Sequence, residues 1–315
     1  MVETLVEEAS PAAALTTPPG AEQDYAPNPA IWRLADEDTT IYLFGTIHVL
    51  PPGFAWRSAE FDRIVGEVDQ LVLETSDEDG TAQLEAMLPQ MIEAMLSREP
   101  TSDRMAPENG KKFLKLGRMA GIDPVEFDTM PLILALMGVG LNASALDGSM
   151  SEFGVETVLT AEFAELGKPV GSIENSADVM VALLGIDEGT IIAAVEHDLA
   201  EWDGGDLDSL MLETGDADTG PVYGDADNPL APFAMEHAWA KGIISEQAMF
   251  DDSPLGLAMS KVLLEDRNRA WAEWLDRRLD TPGTILLAVG AGHFEGEVSV
   301  LRMLEARGLE VSRIN

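Results

Sequence analysis

The 315-residue chain has no cysteine, only four histidines and three tyrosines, and 19 Lys and Arg against 57 Asp and Glu. Without cysteine there are no disulfides, no thiolate metal sites and no cysteine nucleophile. The shortage of bases leaves a net charge of −38 at pH 7. Phosphate backbones are bound through clustered Lys and Arg, so a nucleic-acid partner is excluded. Anionic membrane surfaces are disfavoured for the same reason. The acid excess favours solubility, a salty habitat or cationic partners, metal ions among them.

Long apolar runs are missing too. The longest, Met130 to Leu141, falls short of the roughly 18 residues that a membrane-spanning helix needs, so no transmembrane segment is expected. Met1 is followed by acidic residues, without the basic start and apolar stretch of a signal peptide. The protein is therefore expected to be periplasmic or secreted if a signal has been trimmed, and otherwise cytoplasmic. Several catalytic signatures are also lacking: a Gly-x-Ser-x-Gly elbow, a Walker loop, a dinucleotide Gly-x-Gly-x-x-Gly and a His-Glu-x-x-His helix.

What is present is ordinary globular material, 46% hydrophobic and long enough for a large core. Residues 1–29 are rich in Ala, Pro, Thr and Glu without periodicity and read as a flexible lead-in; 30–315 read as one domain. Thr39–Phe44 (TTIYLF) predicts a strand, Ser58 caps a helix with Phe61, Ile64, Val65 and Val68 on one face, and Gln70–Glu74 (QLVLE) predicts a second strand. Helices are expected at about 81–97, 108–120, 130–141, 152–167, 176–184, 188–201 and 231–240, interrupted by a short strand at Pro169–Glu174. Residues 201–227 carry nine acids and no base and read as a solvated loop. The run from Asp216 to Gly220 resembles the start of a calcium loop but lacks its later ligands. A helix over 255–279, a strand over Thr284–Val289, a helix at 296–307 and a last strand at Glu310–Arg313 follow. The fold class is thus α/β, a small mixed sheet built from two β-α-β halves that bracket a helical insert at about 80–255.

Two of the four histidines, His48 and His293, have glycine three residues before them and directly follow an apolar strand. The glycines are expected to permit a sharp turn, leaving each histidine in the crevice beyond the sheet where α/β proteins bind ligands. Glu74 and Glu174 end two other strands. Parallel neighbouring strands would let these four residues converge. Two neutral imidazoles and a carboxylate suit zinc, manganese, cobalt or iron, and water on such a metal becomes a nucleophile. The plainer readings are a histidine that caps a turn and a glutamate that is solvated. His197 and His237 lie in helical segments without a partner pattern and read as structural. Asn268 shares an apolar helical stripe with Leu264, Trp271, Leu275 and Leu279, so it needs a polar partner. It and the adjacent Arg267 either line the site or serve structure.

Seven ordered segments resemble the TraB/GumN family: 31–51 (IWRLADEDTTIYLFGTIHVLP), 69–75 (DQLVLET), 130–137 (MPLILALM), 153–175 (FGVETVLTAEFAELGKPVGSIEN), 263–275 (LLEDRNRAWAEWL), 289–296 (VGAGHFEG) and the closing RGLEVSRI. The paired Gly-x-x-His motifs, with a glutamate soon after the first, are the family's mark. The family is related to the Tiki proteins and distantly to erythromycin esterases and haem-binding ChaN-like proteins. The resemblance implies a metal-dependent hydrolase fold. Tiki members are described as metal-dependent proteases that clip a secreted signalling protein, and plasmid members act in shutdown of peptide pheromones. Carried over by motif, His48 and His293 become metal ligands and Glu74 a ligand or general base. Glu174, Arg267 and Asn268 also fall on family-like positions; in a hydrolysis mechanism at this site Arg267 or Asn268 would stabilise the oxyanion. The expected function is therefore metal-dependent hydrolysis of a peptide or protein substrate with zinc, manganese or cobalt. The alternative is a non-catalytic regulatory protein that binds a metal, haem or peptide. The sequence names no oligomeric state.

Overall fold

The computed structural model describes residues 16–75, 98–146, 148–205 and 233–315, with scattered positions between 83 and 93. Six strands form one sheet: β1 (Ile31–Ala35), β2 (Thr39–Thr46), β3 (Gln70–Leu73), β4 (Val170–Ser172), β5 (Gly283–Gly290) and β6 (Val311–Arg313). Their order is β4-β3-β5-β2-β1-β6. The four neighbours β4, β3, β5 and β2 run parallel, while β1 is antiparallel to β2 and β6. The sheet is mixed, as expected, its antiparallel pairings both made by β1.

The strand β5 decides where chemistry can happen. It comes late in the chain yet lies between β2 and β3 of the first half. Its register pairs Thr46 with Gly290 and Leu73 with Ala288. The chain segments after β2, β3, β4 and β5 therefore leave the sheet at one edge, the crevice where parallel sheets bind ligands. The strands β2, β3 and β5 are buried on both faces, which explains their near-continuous apolar sequences. One core, with Phe44, Phe61, Leu71, Val155, Phe163 and Leu286, covers one face. Another, with Leu43, Val72, Trp271, Leu275, Leu287 and Val300, covers the other.

Helices flank these strands. The helix α1 (Ala59–Glu67) starts where Ser58 accepts a hydrogen bond from the Phe61 amide, and it buries Phe61, Ile64 and Val65. The insert contributes α2 (Pro107–Met119), α3 (Pro124–Thr129), α4 (Leu132–Leu146), α5 (Val155–Glu165), α6 (Ser176–Leu184) and α7 (Glu188–Glu201). Much of it packs into a third core around Phe113, Phe127, Leu132, Leu199 and Trp202. After α8 (Ala234–Ala240) come α9 (Pro254–Ser260), a π-helical turn (Lys261–Glu265), α10 (Asp266–Arg278) and α11 (Val300–Ala306). The single helix expected over 255–279 is thus interrupted by a π turn just before Arg267 and Asn268. Among the described residues, no helix is long and apolar enough to cross a membrane.

Two expectations change. The lead-in is not loose over residues 16–29. Ala21 is buried, the Asn28 amide donates to the Ala240 carbonyl at 2.7 Å, and the Tyr25 hydroxyl meets His237 Nδ1 at 2.6 Å. These residues are pinned to the domain by α8, a long-range contact that local composition does not encode. The strand β1, unmarked from sequence, forms a hairpin with β2 because its Ile31 and Leu34 complete the cores. The expected helix at 81–97, and the acidic stretch of 201–227 with its calcium-like start, lie largely outside the described residues.

Candidate functional site

The crevice at the parallel strand ends gathers five of the residues singled out from sequence, and a sixth stands directly behind them. His48 follows β2, Glu74 follows β3, Glu174 follows β4 and His293 follows β5 within a short 3-10 turn. Arg267 and Asn268 reach in from α10.

Glu74 is the hub. Its Oε1 accepts from the Gly290 amide at 2.5 Å and lies 3.7 Å from His293 Nε2. Its Oε2 accepts from Arg267 Nη2 at 2.5 Å. Burial alone would raise this carboxyl. The charges of His293, Arg267 and His48 and the Gly290 amide outweigh it and lower the group to about 2. Glu174 receives Arg267 Nε at 3.0 and 3.1 Å on its two oxygens, a further bond from Nη2, and the Trp271 indole N–H at 2.9 Å. Burial nonetheless raises its carboxyl, against the pull of Arg267. The two glutamates thus share one guanidinium, and their proton affinities are driven apart. The remaining Arg267 nitrogen, Nη1, donates to the Leu263 carbonyl at 3.0 Å.

His293 is held just as firmly. Its ring is 3% exposed and stacks obliquely on Trp271, centroids 4.1 Å apart. Asn268, fully buried, donates Nδ2 to the Val298 carbonyl at 2.7 Å. That leaves Oδ1 as the acceptor facing His293 Nδ1 at 2.6 Å. Nδ1 therefore carries the proton, and Nε2 offers its lone pair to the crevice. Asn268 is fully buried behind His293, out of reach of a substrate oxygen. It positions His293; the oxyanion role offered for it does not fit this geometry.

Burial pulls the His293 imidazole down to about 3, with Glu74 opposing. An unfolded imidazole takes up its proton near 6.5, the folded one only near 3. The unfolded state therefore binds more protons across this window, and stability present above pH 6.5 is lost as pH falls toward 3. Glu74 adds a loss from 4.5 down to about 2. The denaturation midpoint of the metal-free protein is expected to fall from pH 7 to pH 4.5, and to fall less in His293→Gln. Equal falls would contradict the assignment.

His48 differs, with 67% of its side chain exposed. A hydrogen bond from Nδ1 to Glu156 at 2.8 Å raises its imidazole to about 9, a shift that solvent screens. Glu156 also accepts from the Thr46 hydroxyl. This glutamate escaped sequence reasoning because it sits mid-segment in the first turn of α5, far from any strand end. Its one available signal was an acid directly after Gly154-Val155.

The glycines of the two motifs do not work as sharp turns. Neither Gly45 nor Gly290 has positive φ. They make room instead. A Cβ on Gly45 would stand 3.0 Å from the Ala291 backbone, where the loops after β2 and β5 touch. A Cβ on Gly290 would stand 2.9 Å from Glu74 Oε1, 3.7 Å from His48 Nε2 and 3.8 Å from His293 Cδ2. Both histidines and Glu74 therefore line one small space that exists because residue 290 has no side chain. Among the described residues, no three His, Asp or Glu side chains form a ready-made metal-ligand set. The donor chemistry around Gly290 still fits one, with two imidazoles and an ionised carboxylate at its rim. Gly290→Ala is expected to keep the fold, since its φ of −48° suits any residue, yet to block this space. Unchanged zinc uptake in that variant would show that the space is not where a cation sits.

An α/β domain with two Gly-x-x-His histidines and two glutamates at parallel strand ends defines a class, and the comparison of sequences gives it a name. Residues 30–313 match the TraB/PrgY/gumN family, and the chain belongs to it. Among its relatives is the uncharacterized protein YbaP of Escherichia coli (strain K12), 24% identical over 277 residues, 88% of this chain and 92% of YbaP. The YbaP of Shigella flexneri is 24% identical over 264 residues, 84% of this chain and 87% of its own. No solved structure matches the chain.

Proposed function

We propose that this protein is a metal-dependent hydrolase of peptide or protein substrates. The observation that supports it most is the meeting of His48 Nε2, His293 and Glu74 Oε1 around the space over Gly290. His48, His293 and Glu74 would hold zinc, manganese or cobalt. When bound, such a metal supplies Lewis acidity and a water of lowered pKa.

The chain's own residues have distinct tasks in this reading. Asn268 keeps His293 Nε2 free of a proton. Arg267 and the Gly290 amide keep Glu74 ionised. A carboxyl near 2 is a weak base at neutral pH but a good ligand, which favours the ligand role for Glu74 over the general-base role. Trp271 covers His293 and keeps water from its far side. Substrate would approach past the exposed His48. Peptides as the substrate class rest on the resemblance to Tiki and pheromone-shutdown proteins.

The test is cleavage of a peptide library by chelated protein reloaded in turn with zinc, manganese and cobalt, with small esters run alongside. Peptide products that need the metal and vanish in His293→Ala support the reading. Ester turnover without peptide cleavage points to esterase chemistry, and metal uptake with neither product defeats the hydrolase proposal.

A further inference from the structure

We propose that Glu156 is a positioning residue that holds His48 in the tautomer protonated at Nδ1, so that the Nε2 lone pair faces Glu74 and His293. The docking of α5 makes this possible. The Val155 amide donates to the Ile47 carbonyl at 3.0 Å, and the missing side chain of Gly154 lets the helix start against the His48 backbone. A Cβ there would stand 1.9 Å from the His48 carbonyl oxygen. Glu156, in the helix's first turn, then brings Oε1 to His48 Nδ1 at 2.8 Å. An ionised carboxylate only accepts hydrogen bonds, so Nδ1 must be the donor. The Thr46 hydroxyl donates to the same oxygen and fixes it. Both of these bonds fall on Oε1, so among the described residues Thr46 and His48 are the partners that orient this carboxylate. Glu156 does for His48 what Asn268 does for His293. In metal sites such outer partners set the ring orientation of the ligand, and their loss weakens metal binding about 10- to 100-fold.

The purpose of this orientation rests on the metal-hydrolase reading; its geometry does not. Two measurements keep them apart. Nitrogen-15 imidazole spectra of the metal-free protein, recorded where the His48 ring is neutral and assigned with His48→Ala, read the tautomer. Competition with a chromophoric chelator reads zinc affinity. The expected result is an Nδ1–H ring in the wild type. Glu156→Ala is expected to shift it toward Nε2–H and to weaken zinc binding about 10- to 100-fold. Glu156→Gln, which keeps an acceptor oxygen, is expected to retain the wild-type tautomer. A wild type that is already Nε2–H overturns the proposal without recourse to a variant. So does a Glu156→Ala protein unchanged in both readouts. A Glu156-dependent tautomer in a protein that takes up no zinc leaves the positioning role standing and removes the metal reading.

Discussion

Replacing Arg267 by Met is expected to lower folding stability by about 3–5 kcal/mol, the cost of leaving buried charges without their partner. Arg267 is 14% exposed at its side chain, as is Glu174, and Glu74 is 15% exposed. Its guanidinium bonds both carboxylates, so its removal leaves two largely buried acids without it. Met keeps much of the packing on Trp271, whose ring lies 4.9 Å from the guanidinium carbon. Chemical denaturation at pH 7 measures the loss. Adding Glu174→Gln to Arg267→Met should recover part of it, because one unpaired charge is then gone. A loss under about 1 kcal/mol would place the network among weak surface pairs and undo its assignment as the clamp on Glu74.

The second large effect concerns His48 and His293. Each changed singly to Ala is expected to lose bound metal, and with it metal-dependent hydrolysis, down to the level of chelated protein. The two should differ in stability. His293 is packed against Trp271 and bonded to Asn268, so His293→Ala leaves a cavity and an unpaired amide oxygen, at about 1–3 kcal/mol for the latter. His48 is mostly exposed, and His48→Ala should unfold at nearly the wild-type midpoint. Metal analysis with denaturation of the same samples checks both halves. A His293→Ala protein with full metal content would sink the ligand assignment.

Much of the fold was legible because strong local patterns agree with the tertiary outcome. The strands at Thr39, Gln70 and Thr284, and the helices at 176–184 and 188–201, are strong apolar or capped patterns that the packing leaves alone. The strand β1 and residues 16–29 were not legible, since their order comes from distant partners, β2 and α8. The site divides the same way. His48, Glu74, Glu174 and His293 stand out because strand ends are visible in sequence. That they face one another follows from β5 entering between β2 and β3, which no local pattern encodes. The role of Arg267 as a clamp on two glutamates, the positioning task of Asn268 and the contact of Glu156 with His48 are all side-chain geometry. Sequence offered only their polarity against an apolar background. Gly45 and Gly290 were singled out for turns and matter for the space they leave.

The central claim is that His48, His293 and Glu74 hold a divalent metal. Elemental analysis of the purified chain, as isolated and after chelation and reloading with zinc, manganese or cobalt, tests it most directly. The account predicts close to one metal per chain, removed by chelator, restored on reloading and absent from His48→Ala and His293→Ala. A wild-type chain that stays metal-free through all three reloadings would contradict it.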